Sequence, residues 1–297
     1  MRNILSIEQK EKLIKAFLFV CAAITLLTTL GIIWVLLSQS YNFFKEVSII
    51  DFITDTEWTP LFSEKHFGIA PLLAGTLLTT VIALLVALPL GLTIAVYLNE
   101  YAPKGFRKAV KPLLEILAAV PTVVYGFFAL VVVTPFLQSI WPSISGFNSI
   151  SAGIVMGIMI IPFISSLGED ALFAVPNSLR QASYGMGATR LQTSFRVLIP
   201  SASSGIIASI ILAFSRAIGE TMIVAVAAGQ QPQLTMDPTV PIQTITSYIV
   251  QVSSGDVQHG SLEYNTIFAA GLALFVFTFI LNNISFFINK KFRQEYE

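Results

Sequence analysis

The chain has 297 residues, of which 55% are hydrophobic and 11% are charged, and its mean hydropathy is +0.77. Soluble domains usually contain about 25% charged residues, so this composition excludes a soluble globular protein and predicts an all-α protein embedded in a lipid bilayer. The formal net charge is zero, which excludes the broad basic surface expected of a nucleic-acid-binding protein.

Six apolar segments are long enough to cross the bilayer, whose hydrocarbon core of about 30 Å requires roughly 20 helical residues. In chain order they are residues 17–37, 71–98, 113–137, 150–167, 205–229 and 266–287. The first follows Lys10, Lys12 and Lys15, as the apolar part of a signal peptide would. Because it is too long for a signal peptide and no small-residue cleavage site follows it, we predict an uncleaved transmembrane helix.

Glycine and proline residues lie inside two of the predicted spans. Pro89 and Gly91 lie in the second span and predict a kink or a tilt there. Gly153, Gly157 and Pro162 lie in the fourth span. Small residues allow membrane helices to approach closely, so the fourth span is predicted to be a kinked helix that packs tightly against its neighbours.

The basic residues are distributed asymmetrically between alternate connecting segments. Fourteen lysines and arginines fall in the N-terminal tail, the segment after the second span, the connection 168–204 and the C-terminal tail, whereas the intervening segments contain only Lys45 and Lys65. Lysine and arginine collect in cytoplasmic loops. The pattern predicts six spans with both termini and the connection 168–204 in the cytoplasm.

This topology divides the chain into three parts. Residues 1–37 form the N-terminal tail and the first transmembrane helix, and residues 38–70 form an extracytoplasmic loop. Residues 71–297 form a five-helix core that includes the cytoplasmic connection 168–204.

One basic residue, Arg216, falls within the predicted fifth span, and Glu220 follows it four residues later. Residues at this spacing share one face of a helix. A charged side chain at the bilayer centre costs about 2.5–3.5 kcal/mol on insertion scales. Two interpretations follow: a structural ion pair, or an arginine that marks the path of an anion. Arginine suits oxyanions because its planar fork donates two parallel hydrogen bonds.

The polar connection 168–204 is predicted to form two short helices. Asn177 or Ser178 would cap the first, over residues 179–186, and Gly187 would permit the turn that follows. The second, over residues 189–199, is amphipathic and would end at Pro200. By these features alone, the connection would lie on lipid headgroups as an interfacial anchor.

The spacing within this connection resembles a motif of ABC importer permeases. Residues 181–183 read Q-A-S, Gly187 follows after three residues, and V-L-I-P at 197–200 follows after nine more. The pattern is similar to the EAA loop of those permeases, E-A-A, three residues, G, nine residues, I-x-L-P. Gln181 stands in place of the usual glutamate and Ser183 in place of the second alanine, while the glycine, the proline and all spacings are kept.

Further stretches resemble the phosphate-specific members of that family. Residues 216–222 read R-A-I-G-E-T-M, and residues 117–126 read L-A-A-V-P-T-V-V-Y-G. The runs W-T-P at 58–60 and F-G-I-A-P-L-L-A-G-T at 67–76 resemble the PstC type rather than its PstA partner. The resemblance extends from about residue 58 to the C-terminus.

The resemblance implies the type I ABC importer permease fold and several partners. These are a homologous PstA-type permease, two PstB-type ATPase subunits, an extracytoplasmic PstS-type phosphate-binding protein and the lipid of a bacterial or archaeal plasma membrane. It implies that Arg216 and Glu220 lie on the phosphate path. It also implies that the ATPase docks on a coupling helix formed by Gln181, Ala182, Ser183, Tyr184, Gly185, Met186, Gly187 and Ala188.

The chain is not predicted to be an enzyme. Its sequence contains no G-x-x-x-x-G-K-[ST] phosphate loop, so ATP and magnesium are expected in the partner ATPase and no cofactor is expected in this chain. His66 and His259 stand alone in polar segments, so no metal site is predicted. The single Cys21 excludes an internal disulfide.

Three alternative functions differ in how they account for the intramembrane charges and the long connection. An ion-coupled secondary anion transporter or an anion channel would not need ATP, but it would leave the long connection unexplained. A permease for another oxyanion, such as sulfate or molybdate, would also suit an arginine-lined path. A scaffold or sensor subunit would have no use for the intramembrane charges.

Overall fold

A computed structural model of the protein describes residues 7–292, so that Arg2 and Arg293, which contribute to the predicted charge asymmetry, lie outside the described residues. The described part is helical, and its extended pairing is confined to isolated bridges between Trp58 and Phe67 and between Gly229 and Ile242. The predicted all-α class is confirmed.

The helices follow one another in chain order, with three π-helical turns between them. They are α1 (Ile7–Phe44), α2 (Ile49–Thr54), α3 (Ala70–Val96), α4 (Lys104–Ala119), α5 (Thr122–Phe128), α6 (Thr134–Ile140), α7 (Ser149–Phe173), α8 (Asn177–Gly185), α9 (Arg190–Thr193), α10 (Ile199–Ser201), α11 (Ser203–Ile218), α12 (Met222–Ala227), α13 (Ile245–Ser254) and α14 (Leu262–Phe292). The π-helical turns, Tyr97–Tyr101, Ala129–Val133 and Ser194–Leu198, extend α3, join α5 to α6 and join α9 to α10.

Five helical segments of the described chain are long and apolar enough to cross a membrane. They are Lys10–Phe44, Ala70–Tyr101, Thr122–Ile140, Ser149–Phe173 and Leu262–Ile284. A sixth span arises if Arg190–Ser201 and Ser203–Ile218, which meet at an angle of 74°, are taken together. Alone, the 16 residues of α11 reach only about 24 Å at 1.5 Å per residue, which is less than the hydrocarbon thickness.

The predicted third span, 113–137, is wrong at its start. The chain breaks at Val120 and Pro121, and the membrane-spanning segment is Thr122–Ile140. The residue before a proline is disfavoured in helical geometry, and Val120 is extended, with φ −62° and ψ 132°. The preceding residues belong to the separate amphipathic helix α4, and the Tyr125 hydroxyl donates a hydrogen bond to the Leu117 carbonyl across the break at 2.8 Å.

The predicted fourth span, 150–167, is too short. Asn148 caps the start of α7 by accepting a hydrogen bond from the Ser151 amide at 2.7 Å, and the helix continues through Pro162 to Phe173. Glu169 and Leu172 are buried within its last turns. The polar connection therefore begins at Ala174 rather than at residue 168.

Glycines on α7 and α3 allow these two helices to pack closely, as predicted for Gly153 and Gly157. A Cβ atom on Gly153 would lie 2.6 Å from Ile82 Cγ2, and one on Gly157 would lie 2.7 Å from the Ala83 carbonyl oxygen. These separations are shorter than any normal contact, so only glycine fits at this crossing.

Replacing Gly157 by leucine should separate α3 from α7 and destabilise the protein, because overpacking of a tight core typically costs about 1–3 kcal/mol. The thermal unfolding midpoint of the detergent-solubilised protein should fall. Gly31→Leu is the matched control, since nothing lies within 4 Å of the site of its Cβ. Equal midpoints for the two variants would contradict the close-packing role.

The segment between α1 and α3 folds onto α13 around a buried aromatic cluster. Trp58 stacks edge-on against Tyr248 with ring centroids 5.0 Å apart, and Phe52 packs on its other side at 6.1 Å. The imidazole of His66 lies 3.0 Å from the Asp55 carboxylate, and this hydrogen bond raises the pKa of His66. The W-T-P and F-G-I-A-P stretches noted in the sequence thus lie in this packed segment between α1 and α3.

Candidate functional site

Arg216 and Glu220 meet at a break between two helices. The predicted continuous fifth span, 205–229, is wrong: α11 ends at Ile218, and α12 begins at Met222. Arg216 belongs to the last turn of α11, and Glu220 lies in the break. The Thr246 hydroxyl of the neighbouring segment donates to the Glu220 carbonyl oxygen at 2.7 Å, so that a carbonyl left free by the break is satisfied.

The two side chains form a direct ion pair, with Arg216 Nη1 2.6 Å from Glu220 Oε2. The other Glu220 oxygen accepts a hydrogen bond from the Ile223 amide at 3.5 Å, at the start of α12. The Glu220 side chain is 2% exposed, whereas that of Arg216 is 35% exposed. The carboxylate is therefore fixed inside the protein, while part of the guanidinium remains accessible.

Arg216 faces a cavity of about 680 Å³ between α4, α7 and α11. Most of its wall is apolar, and the polar side chains on it are those of Arg216, Glu115, Ser166 and Ser215. Glu115 was not among the predicted site residues. A signal was available, because Glu115 follows Lys111 by four residues and is the one acidic residue in the sequence of α4. The cavity is large enough for a small oxyanion to approach Arg216.

The first of the two helices predicted in the connection is present as α8, with one difference at its start. The helix begins at Asn177, and Pro176 occupies the cap position without a side-chain hydrogen bond. The prediction that Asn177 or Ser178 caps the helix is therefore wrong, and the side-chain oxygen Oδ1 of Asn177 instead accepts a hydrogen bond from Arg180 Nη1 at 3.4 Å. Gly187 adopts a φ of +82°, which confirms the predicted turn.

The second predicted helix, 189–199, is divided into α9, a π-helical turn and α10. Thr189 caps it through a reciprocal pair of hydrogen bonds with Gln192. Pro200 lies inside α10 rather than ending the helix, and the chain turns by 74° before α11. The second helix thus leads directly into the helix that carries Arg216.

The motif residues 181–188 present most of their side chains to the surface. Gln181, Ala182, Tyr184, Gly185, Met186 and Gly187 are exposed, and Ser183 and Ala188 are half-buried. Met186 is 89% exposed. The Ser183 hydroxyl lies 2.8 Å from the Thr193 hydroxyl, so the serine in place of the motif's second alanine ties α8 to α9. The exposed residues are available to a partner.

A buried ion pair connects α8 to the end of α3. Arg180 Nη2 lies 2.8 Å from Glu100 Oε1, and the Glu100 side chain is 4% exposed. The Tyr184 hydroxyl donates to the other Glu100 oxygen at 3.5 Å. Burial, together with the nearby Glu100 charge, raises the pKa of Tyr184, so its hydroxyl remains a donor. Sequence reasoning did not find this contact, because its partners are far apart in the chain.

Exchanging the charges of Glu100 and Arg180 tests this connection. Each single reversal, Glu100→Arg or Arg180→Glu, should bury like charges and destabilise the protein, since removing one partner of a buried pair costs about 3–5 kcal/mol. The double reversal should restore a substantial part of the stability. The thermal unfolding midpoints of the wild type, the two single variants and the double variant give the coupling between the two sites. A double variant no better than the singles would show that the pair does not act as a unit.

A second group of charges connects α4 to the end of α7. Arg107 pairs with the fully buried carboxylate of Glu169, and Lys111 Nζ lies 3.2 Å from Glu169 Oε2 and 2.8 Å from Asp170 Oδ1. The hydrogen bond to Asp170 raises the pKa of Lys111, which keeps this amine protonated. The first charge group joins α8 to the end of α3, and the second joins α4 to α7, two of the helices that line the cavity.

Comparison with known proteins identifies the family of the chain. Residues 87–294 match the family model described as binding-protein-dependent transport system inner membrane component. The chain is 36% identical over 234 residues to the probable ABC transporter permease protein YqgH of Bacillus subtilis, which covers 79% of this chain and 75% of that protein. It is 33% identical over 262 residues to the phosphate transport system permease protein PstC of Haemophilus influenzae, with 82% of each chain covered.

Solved structures share the fold at low sequence identity. A bacterial ABC transporter involved in the import of the acidic polysaccharide alginate aligns with a TM-score of 0.65 at 18% identity, covering 96% of this chain and 99% of that chain. An inward-facing form of the MetNI methionine ABC transporter aligns with a TM-score of 0.56 at 19% identity, covering 76% and 95%. The match over most of the sequence and the shared fold lead to one conclusion: this chain belongs to the family of inner membrane components of binding-protein-dependent transport systems.

Proposed function

We propose that the chain is the permease subunit of an ATP-driven importer of inorganic phosphate. The observation that carries the proposal is the Arg216–Glu220 contact, in which a buried carboxylate holds a partly accessible guanidinium beside a cavity. A guanidinium is always charged and matches the geometry of phosphate oxygens. The similarity to PstC proteins supports phosphate as the anion.

Both termini and the coupling helix would lie in the cytoplasm of a bacterial or archaeal cell. The charge asymmetry supports this orientation. Arg107, Lys111 and Arg180, which are part of that asymmetry, lie at the ends of α7 and α3 beside Glu169 and Glu100. The aromatic outer segment, with Trp58 at its centre, would face the extracytoplasmic side. A phosphate-binding protein would dock there.

The remaining subunits would supply the energy and the other half of the path. A homologous PstA-type permease would pair with this chain, and two PstB-type ATPases would bind ATP and magnesium. One ATPase would contact the exposed residues between Gln181 and Gly187 on this chain. Its movement would reach α3 through the Arg180–Glu100 pair and reach α11 through the continuous sequence of α9, α10 and α11.

Transport would then proceed by alternating access. Such a mechanism needs two packings of the helices that differ in their affinity for the substrate. In the outward-facing packing, Arg216 would receive phosphate from the binding protein. In the inward-facing packing, the anion would leave through the cavity between α4, α7 and α11.

Uptake of labelled phosphate in cells that lack other phosphate transporters tests the function. The chain, expressed with its permease, ATPase and binding-protein partners, should support uptake that stops when ATP hydrolysis in the ATPase is blocked. Uptake should persist when the ion gradients are dissipated while ATP is maintained. Loss of uptake under the second condition alone would favour an ion-coupled transporter, and accumulation of sulfate or molybdate instead of phosphate would favour another oxyanion permease.

A further inference from the structure

The cavity beside Arg216 contains a carboxylate that the proposed transport path leaves unused. Glu115 projects from α4 into the same cavity that Arg216 reaches from α11, together with the hydroxyl-bearing residues Ser166 and Ser215. Leu114, Ala118, Pro162, Phe163, Leu167 and Leu212 complete the lining. Glu115 is exposed in this chain, so its carboxylate is open to a ligand that enters the cavity and binds Arg216.

The two charged residues of this wall differ in how their hydrogen-bonding capacity is used. Among the described residues, Arg216 contacts Glu220 through Nη1 and the weakly accepting sulfur of Met159 through Nη2, at 3.7 Å. A guanidinium has five N–H donors, so several remain for a ligand. Glu115 has no hydrogen bond or ion pair within the described residues, and Lys111, one helical turn earlier, is already held by Asp170 and Glu169.

Arg216 and Glu115 together would distinguish an oxyanion that carries a proton from one that is fully deprotonated. An ionised carboxylate only accepts hydrogen bonds, so it repels an anion whose oxygens are all deprotonated. Inorganic phosphate retains at least one P–OH group at neutral pH and can donate this hydrogen to a carboxylate while its other oxygens bind a guanidinium. Sulfate has no proton at neutral pH and would place an oxygen lone pair against Glu115.

We propose that Glu115 is a specificity-determining residue that accepts a hydrogen bond from a protonated oxyanion held by Arg216. The proposal rests on the phosphate-import function proposed above and deepens it, because it assigns part of the anion selectivity to this chain. Selection would thus occur a second time after the binding protein has delivered its ligand. Repulsion between the Glu115 carboxylate and a fully deprotonated anion would supply this discrimination.

The test is direct anion binding to the assembled permease–ATPase complex in lipid nanodiscs without the binding protein. Labelled phosphate and labelled sulfate are each titrated at pH 7.5 onto wild type and onto Glu115→Gln. Wild type should bind phosphate and discriminate against sulfate. The glutamine amide can donate as well as accept, so Glu115→Gln should improve the affinity for sulfate relative to phosphate at least about tenfold.

Two further variants serve as controls for the Glu115→Gln measurement. Glu46→Gln, in the outer segment, is the matched control and should retain the wild-type ratio. Glu115→Asp keeps the carboxylate and should remain selective for phosphate, even if Glu115→Gln assembles poorly. An unchanged phosphate-to-sulfate ratio in Glu115→Gln, or sulfate binding by Glu115→Asp equal to its phosphate binding, would overturn the inference while leaving phosphate import intact. A wild-type complex that binds neither anion would instead count against the proposed function.

Discussion

Replacing Arg216 by glutamine should abolish phosphate uptake while leaving the permease bound to its ATPase. The variant loses the charged fork that would bind the anion, and hydrogen bonds to charged groups contribute about 1.5–3 kcal/mol each, so loss of two such bonds reduces transport by roughly a hundredfold or more. Labelled phosphate uptake in cells without other phosphate transporters measures the effect, and co-purification with the ATPase measures assembly.

The stability of this variant needs its own control, because Glu220 is 2% exposed and would lose its partner. An unpaired buried charge is strongly destabilising. The double variant Arg216→Gln, Glu220→Gln removes both charges and should assemble, yet it should still not transport. Arg216→Lys keeps the charge without the planar fork and should recover only part of the activity. Wild-type uptake in the assembled glutamine variants would exclude a translocation role for Arg216.

Local features of this fold could be predicted from the sequence where a single residue type determines the geometry. Gly187 has no competing element around it, so its turn and the positive φ followed from residue type. Gly153 and Gly157, one helical turn apart, predicted a close helix crossing, and the partner helix is α3. The helix predicted over residues 179–186 lies within two residues of the observed bounds of α8, Asn177–Gly185.

The two helix breaks, at Pro121 and at Gly219, were not predicted because the sequence around each of them is largely apolar. Pro121 interrupts a continuous apolar run, and Gly219 interrupts another, so length alone suggested two uninterrupted spans. Both breaks carried recognisable signals, a residue before proline and a glycine after a basic last turn. A criterion based on hydropathy and length alone takes neither signal into account.

The long-range ion pairs could not be derived from the sequence. Arg180 meets Glu100, and Arg107 meets Glu169, across elements that are distant in the chain. Charge counting assigned the basic residues to one side of the membrane, but it did not consider which acidic residue each one contacts. Glu115 stands out in the sequence as the one acidic residue of α4, but its proximity to Arg216 depends on how α4 and α11 pack around the cavity.

Replacing Gly187 by valine should uncouple the permease from its ATPase. Gly187 has a φ of +82°, and nothing lies within 4 Å of the site of its Cβ, so the cost arises from the backbone rather than from a clash. The left-handed conformation costs roughly 1–2 kcal/mol for an ordinary L-residue, and more for a β-branched one. The turn between α8 and α9 should therefore change conformation, and the exposed residues next to it should no longer match the ATPase surface.

Asparagine is the matched control at this position, because it tolerates the left-handed region better than other residues. Gly187→Asn should retain most of the ATPase binding, whereas Gly187→Val should lose both co-purification with the ATPase and transport-stimulated ATP hydrolysis. The Arg216 site lies at the far end of α11, so anion binding to the isolated permease pair should survive in both variants. If valine and asparagine behave alike, the side chain at position 187 acts by some route other than backbone conformation. If Gly187→Val retains normal binding and normal hydrolysis, the docking role assigned to α8 is wrong.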